Sequence, residues 1–119
     1  MKWIGIIGTR RRNTKNDFYK VEEVFWDNYE DGDGIVSGGC PKGGDAFAHY
    51  LHKKHSIPYL EFPADWKHHG KAAGFIRNTD IADNSDILIA CVSLDRTGGT
   101  EDTIKKFLKS NESERLILV

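Results

Sequence analysis

Apolar positions repeat along the chain with two different periods, and segments of the two kinds alternate. Five short apolar runs have the length and β-branched content of buried strands, whereas four longer segments repeat apolar residues every three or four positions, as amphipathic helices do. The predicted strands are residues 2–7, 35–39, 57–62, 86–92 and 115–119, and the predicted helices are residues 16–29, 45–55, 70–84 and 101–110. In the first helix, Phe18, Val21 and Phe25 mark the face that should meet the core.

Strands that alternate with helices indicate an α/β fold, because a helix between two parallel strands serves as a right-handed crossover. We predict a five-stranded parallel sheet in the order 3-2-1-4-5, with helices on both faces. No repeat, low-complexity tract or linker divides the sequence, so residues 1–119 are expected to form one domain. A ligand of such a sheet binds outside the carboxyl ends of the strands, here at the switch between strands 1 and 4.

Glycines, hydroxyls and cations follow the predicted strands. The segments are GTRRR (8–12), SGGCPKGGD (37–45), PADWKHHGK (63–71) and SLDRTGGT (93–100). Glycine lets backbone N–H groups approach an anion, and a helix N-terminus adds a favourable field. We expect Thr100 to cap the last helix beside the same crevice. The cations on this edge favour a phosphate-bearing ligand, and they are Arg10, Arg11, Arg12, Lys42, Lys67, Lys71 and Arg96.

Composition and motif disfavour several function classes. The net charge of −1 and the absence of aromatic residues around the RRR triplet (10–12) argue against a nucleic-acid partner. No apolar run is long enough to span a membrane, and Cys40 and Cys91 have no disulfide or metal spacing, so a cytoplasmic protein is expected. The glycine-rich loops match neither the Walker A pattern nor G-x-G-x-x-G, which excludes a P-loop ATPase and an ordinary dinucleotide enzyme.

Over nearly its whole length the chain resembles the YspA-like branch of the SLOG superfamily. The segments that carry the resemblance are GTR, SGGCPKGGDAFA, FPADWKHHGKAAGFIRN and GGTEDTI, and FPADW…G…AG…RN is the most specific of them. That superfamily also contains the LOG phosphoribohydrolases, the DprA Rossmann domain and molybdenum-cofactor carrier proteins. The resemblance implies a Rossmann-like three-layer sandwich that binds nucleotides or nucleotide-derived ligands. Some relatives hydrolyse the N-glycosidic bond of nucleoside monophosphates, and others are sensors.

The resemblance also implies which residues form the site. The ligand-binding set is Gly8, Thr9, Arg10, Ser37, Gly38, Gly39, Gly43, Asp45, Trp66, Asn78, Gly98, Gly99 and Thr100, with the last three as the phosphate cradle. Arg77 resembles the catalytic arginine of LOG enzymes. Stacking on the base of a nucleotide is a further interpretation of Trp66 or Phe75.

The chain departs from the LOG pattern at the catalytic glutamate. LOG enzymes have P-G-G-x-G-T-x-x-E, and Thr103 stands at the position of the glutamate. Glycosidic hydrolysis needs a carboxylate beside the scissile bond, for which Asp65 and Glu101 are the candidates. Acids in the first turn of a helix also complement its dipole, which is the structural interpretation of Glu101. We therefore expect a nucleotide-type ligand held for sensing or carriage, with an N-glycosidic hydrolase and a nucleic-acid-binding module as alternatives.

We expect neither a metal nor another cofactor. The histidines offer no three-ligand arrangement, and they are His49, His52, His55, His68 and His69. Cys40 lies close to a helix N-terminus but has no evident base partner. A nucleotide-derived small molecule is the expected partner, and the sequence leaves a homodimer open.

Overall fold

The structure, a computed structural model, describes all 119 residues. Its strands are β1 (Trp3–Gly8), β2 (Gly34–Ser37), β3 (Tyr59–Glu61), β4 (Ile87–Cys91) and β5 (Leu116–Leu118). Its helices are α1 (Lys15–Asn28), α2 (Gly44–His55), α3 (Trp66–His69), α4 (Ala73–Asp83) and α5 (Gly99–Leu108), with 3-10 turns at Gly70–Ala72 and Ser113–Arg115. No helix has both the length and the apolar composition that crossing a bilayer requires.

Neighbouring strands pair in parallel throughout the sheet, in the order β3-β2-β1-β4-β5. The predicted α/β class, the five-stranded parallel sheet and its order are confirmed. β1 is the central strand, and Ile4 pairs with Ile35 of β2 on one side and with Ile87 of β4 on the other. The winding of the chain changes direction at β1, so the carboxyl ends of β1 and β4 border the switch point.

Alternate residues of β1 contribute to two hydrophobic cores, one on each face of the sheet. Ile6 packs with Phe25 of α1 and Leu51 of α2 on one face. Ile7 belongs to the opposite core, which contains Phe107 of α5. Side chains on successive residues of a strand point to opposite faces, so a strand covered on both sides is apolar without interruption. This explains why β1 and β4 are the clearest strand signals in the sequence.

The segment after β3 differs from its prediction, which placed a loop at residues 63–71 and one helix at 70–84. The structure instead contains the one-turn helix α3, a 3-10 turn and then α4. Gly70 has a φ of +54°, a left-handed conformation that ends α3 and prevents one continuous helix. Asp65 stabilises the start of α3 by accepting a hydrogen bond from the His68 N–H at 3.2 Å. The other elements begin and end within two residues of their predicted bounds.

The first turn of α2 lies directly against the end of β1. A Cβ atom on Gly44 would lie 2.2 Å from the carbonyl carbon of Ile7 and 2.4 Å from the amide nitrogen of Gly8. A Cβ atom on Gly8 would in turn lie 2.9 Å from Cys91 Cβ of β4. These atoms belong to the backbone or to a buried side chain and have little room to move. The carboxyl edge of the sheet can therefore meet α2 this closely only with glycine at both positions.

We expect the substitution Gly44→Ala to destabilise the fold by about 3 kcal/mol or more, because the added methyl group would overlap backbone atoms of β1. Gly99→Ala is the matched control, since its Cβ would lie 3.7 Å from the nearest atom, Asn78 Nδ2. That control should change the free energy of unfolding by no more than about 1 kcal/mol. Urea denaturation followed by circular dichroism measures both values. Equal midpoints for Gly44→Ala and the unmodified protein would contradict the close packing of α2 on β1.

Candidate functional site

A cavity of about 410 Å³ opens at the carboxyl edge of the sheet, at the switch point. Its wall comes from the end of β1 and the loop after it, and from residues of α2, α4 and α5. The predicted site residues in this wall are Gly8, Thr9, Arg10, Asp45, Arg77, Asn78, Gly98, Gly99 and Thr100. Ile7 and Ile81 form the apolar part of the wall. The sheet topology thus brings together residues that are far apart in the sequence.

The N-terminus of α5 presents unused hydrogen-bond donors to this cavity. Gly98 is the N-cap residue, with a φ of +99°, and no side chain caps the helix. The four backbone N–H groups of residues 98–101 donate no hydrogen bond within the protein. Thr100 is the second residue of α5, so the prediction that Thr100 caps the helix is wrong. Free N–H groups at a helix N-terminus favour an anion, both through direct hydrogen bonds and through the helix dipole.

Asn78 fixes the position of this N-terminal turn. The side chain is only 8 % exposed. Its Nδ2 group donates to the Gly99 carbonyl oxygen at 3.3 Å and to Asp102 Oδ2 at 3.0 Å. Lys106 Nζ lies 2.9 Å from the same carboxylate oxygen. α4 therefore holds the start of α5 through a buried amide, and this arrangement keeps the free N–H groups in place.

The glycine-rich loop after β2 surrounds the carboxyl group of Asp45. Asp45, in the first turn of α2, is 8 % exposed. The Ser37 hydroxyl lies 2.8 Å from Asp45 Oδ1 and 2.6 Å from the Ile6 carbonyl oxygen, and the Cys40 N–H donates to Asp45 Oδ2 at 3.0 Å. Burial raises the pKa of Asp45 above its ordinary value, against the opposing effects of these hydrogen bonds and of Arg77. Asp45 is the only acidic residue in the cavity wall.

Arg77 of α4 stands beside this carboxyl group. Its Nη1 group donates to the Gly38 carbonyl oxygen at 3.0 Å and lies 4.0 Å from Asp45 Oδ2. Its Nε–H group is buried and has no hydrogen-bond partner in the protein. A Cβ atom on Gly38 would come within 2.7 Å of Arg77 Nη1, so glycine is needed there for the guanidinium to fit. Arg77 thus lines the cavity, while its unused Nε–H donor is shielded within the protein.

Most arginines on this edge are engaged by acidic residues. The pairs are Arg11 with Asp95 at 2.9 Å, Arg12 with Asp17 at 3.0 Å and Arg96 with Glu101 at 2.7 Å. The Arg11 guanidinium holds the pKa of Asp95 well below its usual range. Arg10 makes no ion pair within the protein and lines the cavity. Three of the seven cations predicted on this edge are therefore paired with acidic residues, and of the four without an ion pair only Arg10 lines the cavity.

The remaining predicted site residues lie outside the cavity wall. Ser37, Gly38, Gly39 and Gly43 belong to the loop that supports Asp45 and the start of α2. Three other predicted site residues are exposed to solvent or contact a side chain outside the cavity. These three are Asp65, which contacts the His68 ring at 2.8 Å, Trp66, which is 57 % exposed, and Glu101, which pairs with Arg96.

Some residues of the wall were not in the predicted set. Thr97 and Thr103 both line the cavity, and the Thr103 hydroxyl donates to the Gly99 carbonyl oxygen at 3.1 Å. Their positions close to Gly99 in the sequence could have identified them, because residues just before and just after the start of a helix lie near its first turn. Asn13 was also missed, and its Oδ1 atom accepts the Gly43 N–H at 2.8 Å. No three His, Cys, Asp or Glu side chains are arranged to hold a metal ion.

Comparison of the chain with protein-family models, with curated proteins and with solved structures found no match.

We expect the effect of Asp45→Asn on stability to depend on pH. The pKa of Asp45 is raised by folding, so the folded state binds the proton more tightly than the unfolded state does. This contribution is fully present below the unfolded pKa of about 3.9 and is lost as pH rises through the folded pKa. Asparagine carries no such titration. The free energy of unfolding of Asp45→Asn minus that of the unmodified protein should therefore be larger at pH 7.5 than at pH 4.5.

Urea denaturation of both proteins at the two pH values measures this difference. Asp83→Asn, which changes an exposed residue near the end of α4, is the control for the loss of one negative charge. If the difference in free energy of unfolding between Asp45→Asn and the unmodified protein is the same at both pH values, burial does not raise the pKa of Asp45.

Proposed function

We propose that the protein binds a nucleotide or a nucleotide-derived phosphate ligand in the cavity at the carboxyl edge of the sheet, as a sensor or carrier. The observation that carries this proposal is the start of α5, where Gly98, Gly99 and Thr100 line the cavity and their N–H groups have no partner within the protein. The first N–H groups of a helix have no partner within the helix, and beside a cavity they favour an anionic ligand through hydrogen bonds and the helix dipole.

The other groups in the wall suit a nucleotide better than an inorganic anion. Arg10 supplies a free positive charge, while Ile7 and Ile81 supply apolar surface beside it. A volume of about 410 Å³ lies in the range of small-molecule sites and is much more than a phosphate group fills. The resemblance to the YspA-like branch of the SLOG superfamily supports the same class of ligand. Phosphate would lie against α5, and the rest of the ligand would extend toward α4 and Asp45.

We expect Gly99→Val to weaken binding of nucleoside monophosphates at least about tenfold while the fold is retained. The branched side chain would crowd the first N–H groups of α5, and each hydrogen bond to a charged group contributes about 1.5–3 kcal/mol. Isothermal titration calorimetry with the nucleoside monophosphates of the four common bases measures the affinity, and ligand-induced shifts of Tm provide a second readout.

The control for this experiment is Gly74→Val, which places the same side chain near the start of α4. Its Cβ would lie 3.5 Å from the Trp66 ring, outside the cavity wall. Binding that survives Gly99→Val but is lost in Gly74→Val would reject the assignment of the cradle to α5.

A second candidate function is N-glycosidic hydrolysis of a nucleoside monophosphate. The observation in its favour is that Arg77 and a carboxyl group, Asp45, face the same cavity. The two carboxylates considered from the sequence do not line that cavity, because Glu101 pairs with Arg96 and Asp65 contacts His68. A hydrolase would therefore depend on Asp45, whose oxygens already accept hydrogen bonds from the loop around it.

We expect binding without release of free base, because no carboxylate in the wall is unoccupied. Chromatography of nucleoside monophosphates incubated with the purified protein measures base release directly. Release of base by the unmodified protein, with loss of that release in Asp45→Asn, would establish the hydrolase instead. The same incubation with Asp83→Asn controls for a contaminating activity.

A further inference from the structure

The orientation of the Asn78 side chain is fixed by the protein itself. Asn78 lines the cavity, and its Nδ2 group donates to the Gly99 carbonyl oxygen at 3.3 Å and to Asp102 Oδ2 at 3.0 Å. These two bonds use both hydrogens of the amide. A flipped amide would place Oδ1 against a carbonyl oxygen and a carboxylate, so the hydrogen-bond network determines which atom faces α5.

The amide oxygen of Asn78 has no partner within the protein. The hydrogen bonds of this side chain are the two that Nδ2 donates, although the residue is only 8 % exposed. Oδ1 is not closed off from solvent either, because Arg77 Nε is the one buried side-chain nitrogen or oxygen that lacks a partner. Since Asn78 belongs to the cavity wall, its accessible oxygen is an acceptor that faces the cavity.

Thr103 adds a second acceptor to the same part of the wall. Its side chain lines the cavity, and its hydroxyl donates to the Gly99 carbonyl oxygen at 3.1 Å. A hydroxyl whose hydrogen is engaged can still accept a hydrogen bond. The wall between α4 and α5 thus offers acceptors, next to the N–H donors at the start of α5. A ligand that complements this wall has a hydrogen-bond donor close to its anionic group.

We propose that Asn78 is a specificity-determining residue whose Oδ1 atom accepts a hydrogen bond from a sugar hydroxyl, so that the site selects ribonucleotides over their deoxy analogues. This inference rests on the proposed function, because it assumes that a nucleotide binds with its phosphate at the start of α5. In a nucleoside 5′-monophosphate the sugar is attached directly to the phosphate and the base lies farther away. Asn78 contacts Gly99 in the first turn of α5, so the sugar is the part of the ligand that meets Oδ1.

An analogue without the hydroxyl leaves the acceptor of Asn78 without a partner, and a site built around a ligand hydroxyl discriminates against such an analogue. The experiment uses isothermal titration calorimetry at pH 7.5 with a nucleoside 5′-monophosphate and its 2′-deoxy, 3′-deoxy and 2′,3′-dideoxy forms. The unmodified protein should bind the ribonucleotide at least about tenfold more tightly than the dideoxy form. The two singly deoxygenated forms identify which hydroxyl is bound.

Asn78→Ala removes the acceptor, so the ratio of ribonucleotide to dideoxynucleotide affinity should fall to about threefold or less. A variant that only loosened the start of α5 would weaken both ligands alike and leave this ratio unchanged. Thr79→Ala is the matched control. It removes the hydrogen bond from the neighbouring Thr79 hydroxyl to the Phe75 carbonyl oxygen at 3.0 Å, outside the cavity wall, and should keep the original ratio.

The outcomes separate this inference from the proposal on which it rests. Failure of every nucleotide in the series to bind the unmodified protein would overturn the proposed function, and this inference with it. Equal binding of the ribonucleotide and its dideoxy form would leave the proposed function in place and overturn the role of Asn78. A ratio that is unchanged in Asn78→Ala would do the same. Asn78→Val, which fills more of the volume without a polar atom, is the second variant if the alanine variant fails to fold, and the ratio of the unmodified protein decides the question if neither folds.

Discussion

The close contact between the first turn of α2 and the end of β1 determines the shape of the site. Gly44 lies so near the backbone of Ile7 and Gly8 that no larger residue fits. α2 begins at Gly44, directly at the edge of the sheet. Asp45, the next residue, therefore lies at the switch point beside Arg77. A longer connection would carry this carboxyl group out toward solvent. The glycines of this region thus set the distance between α2 and β1. That distance brings the Asp45 carboxyl group beside Arg77.

The polar groups on the two sides of the cavity are arranged differently. The start of α5 leaves its donors unused, and Asn78 holds that turn in position through a buried amide. On the other side, the Ser37 hydroxyl and the Cys40 N–H lie against the carboxyl group of Asp45. Burial of that group raises its pKa, and the Arg77 guanidinium acts in the opposite direction.

The sequence predicted the sheet and its order because the central strands are apolar on both faces and the helices carry clear apolar stripes. It also indicated that the loops after β1, β2 and β4 contribute to the cavity wall, but it wrongly included the segment after β3. It did not predict the interruption at Gly70, since a left-handed glycine cannot be distinguished from a helical one by composition. Nor could it show that Glu101 turns toward Arg96, or that Asp45 occupies the donors of its own loop. Such pairings depend on side-chain directions, which are fixed only when elements far apart in the sequence pack together.

Arg77 and Asn78 are consecutive residues on α4, and each contacts a different side of the cavity. Arg77 reaches the loop after β2, while Asn78 braces the start of α5. A small rotation or slide of α4 would therefore move both contacts at once, tightening one side as the other loosens. α4 thus connects the two sides of the cavity through two adjacent side chains. The start of α5 and the opposite wall of the cavity are therefore both held by α4.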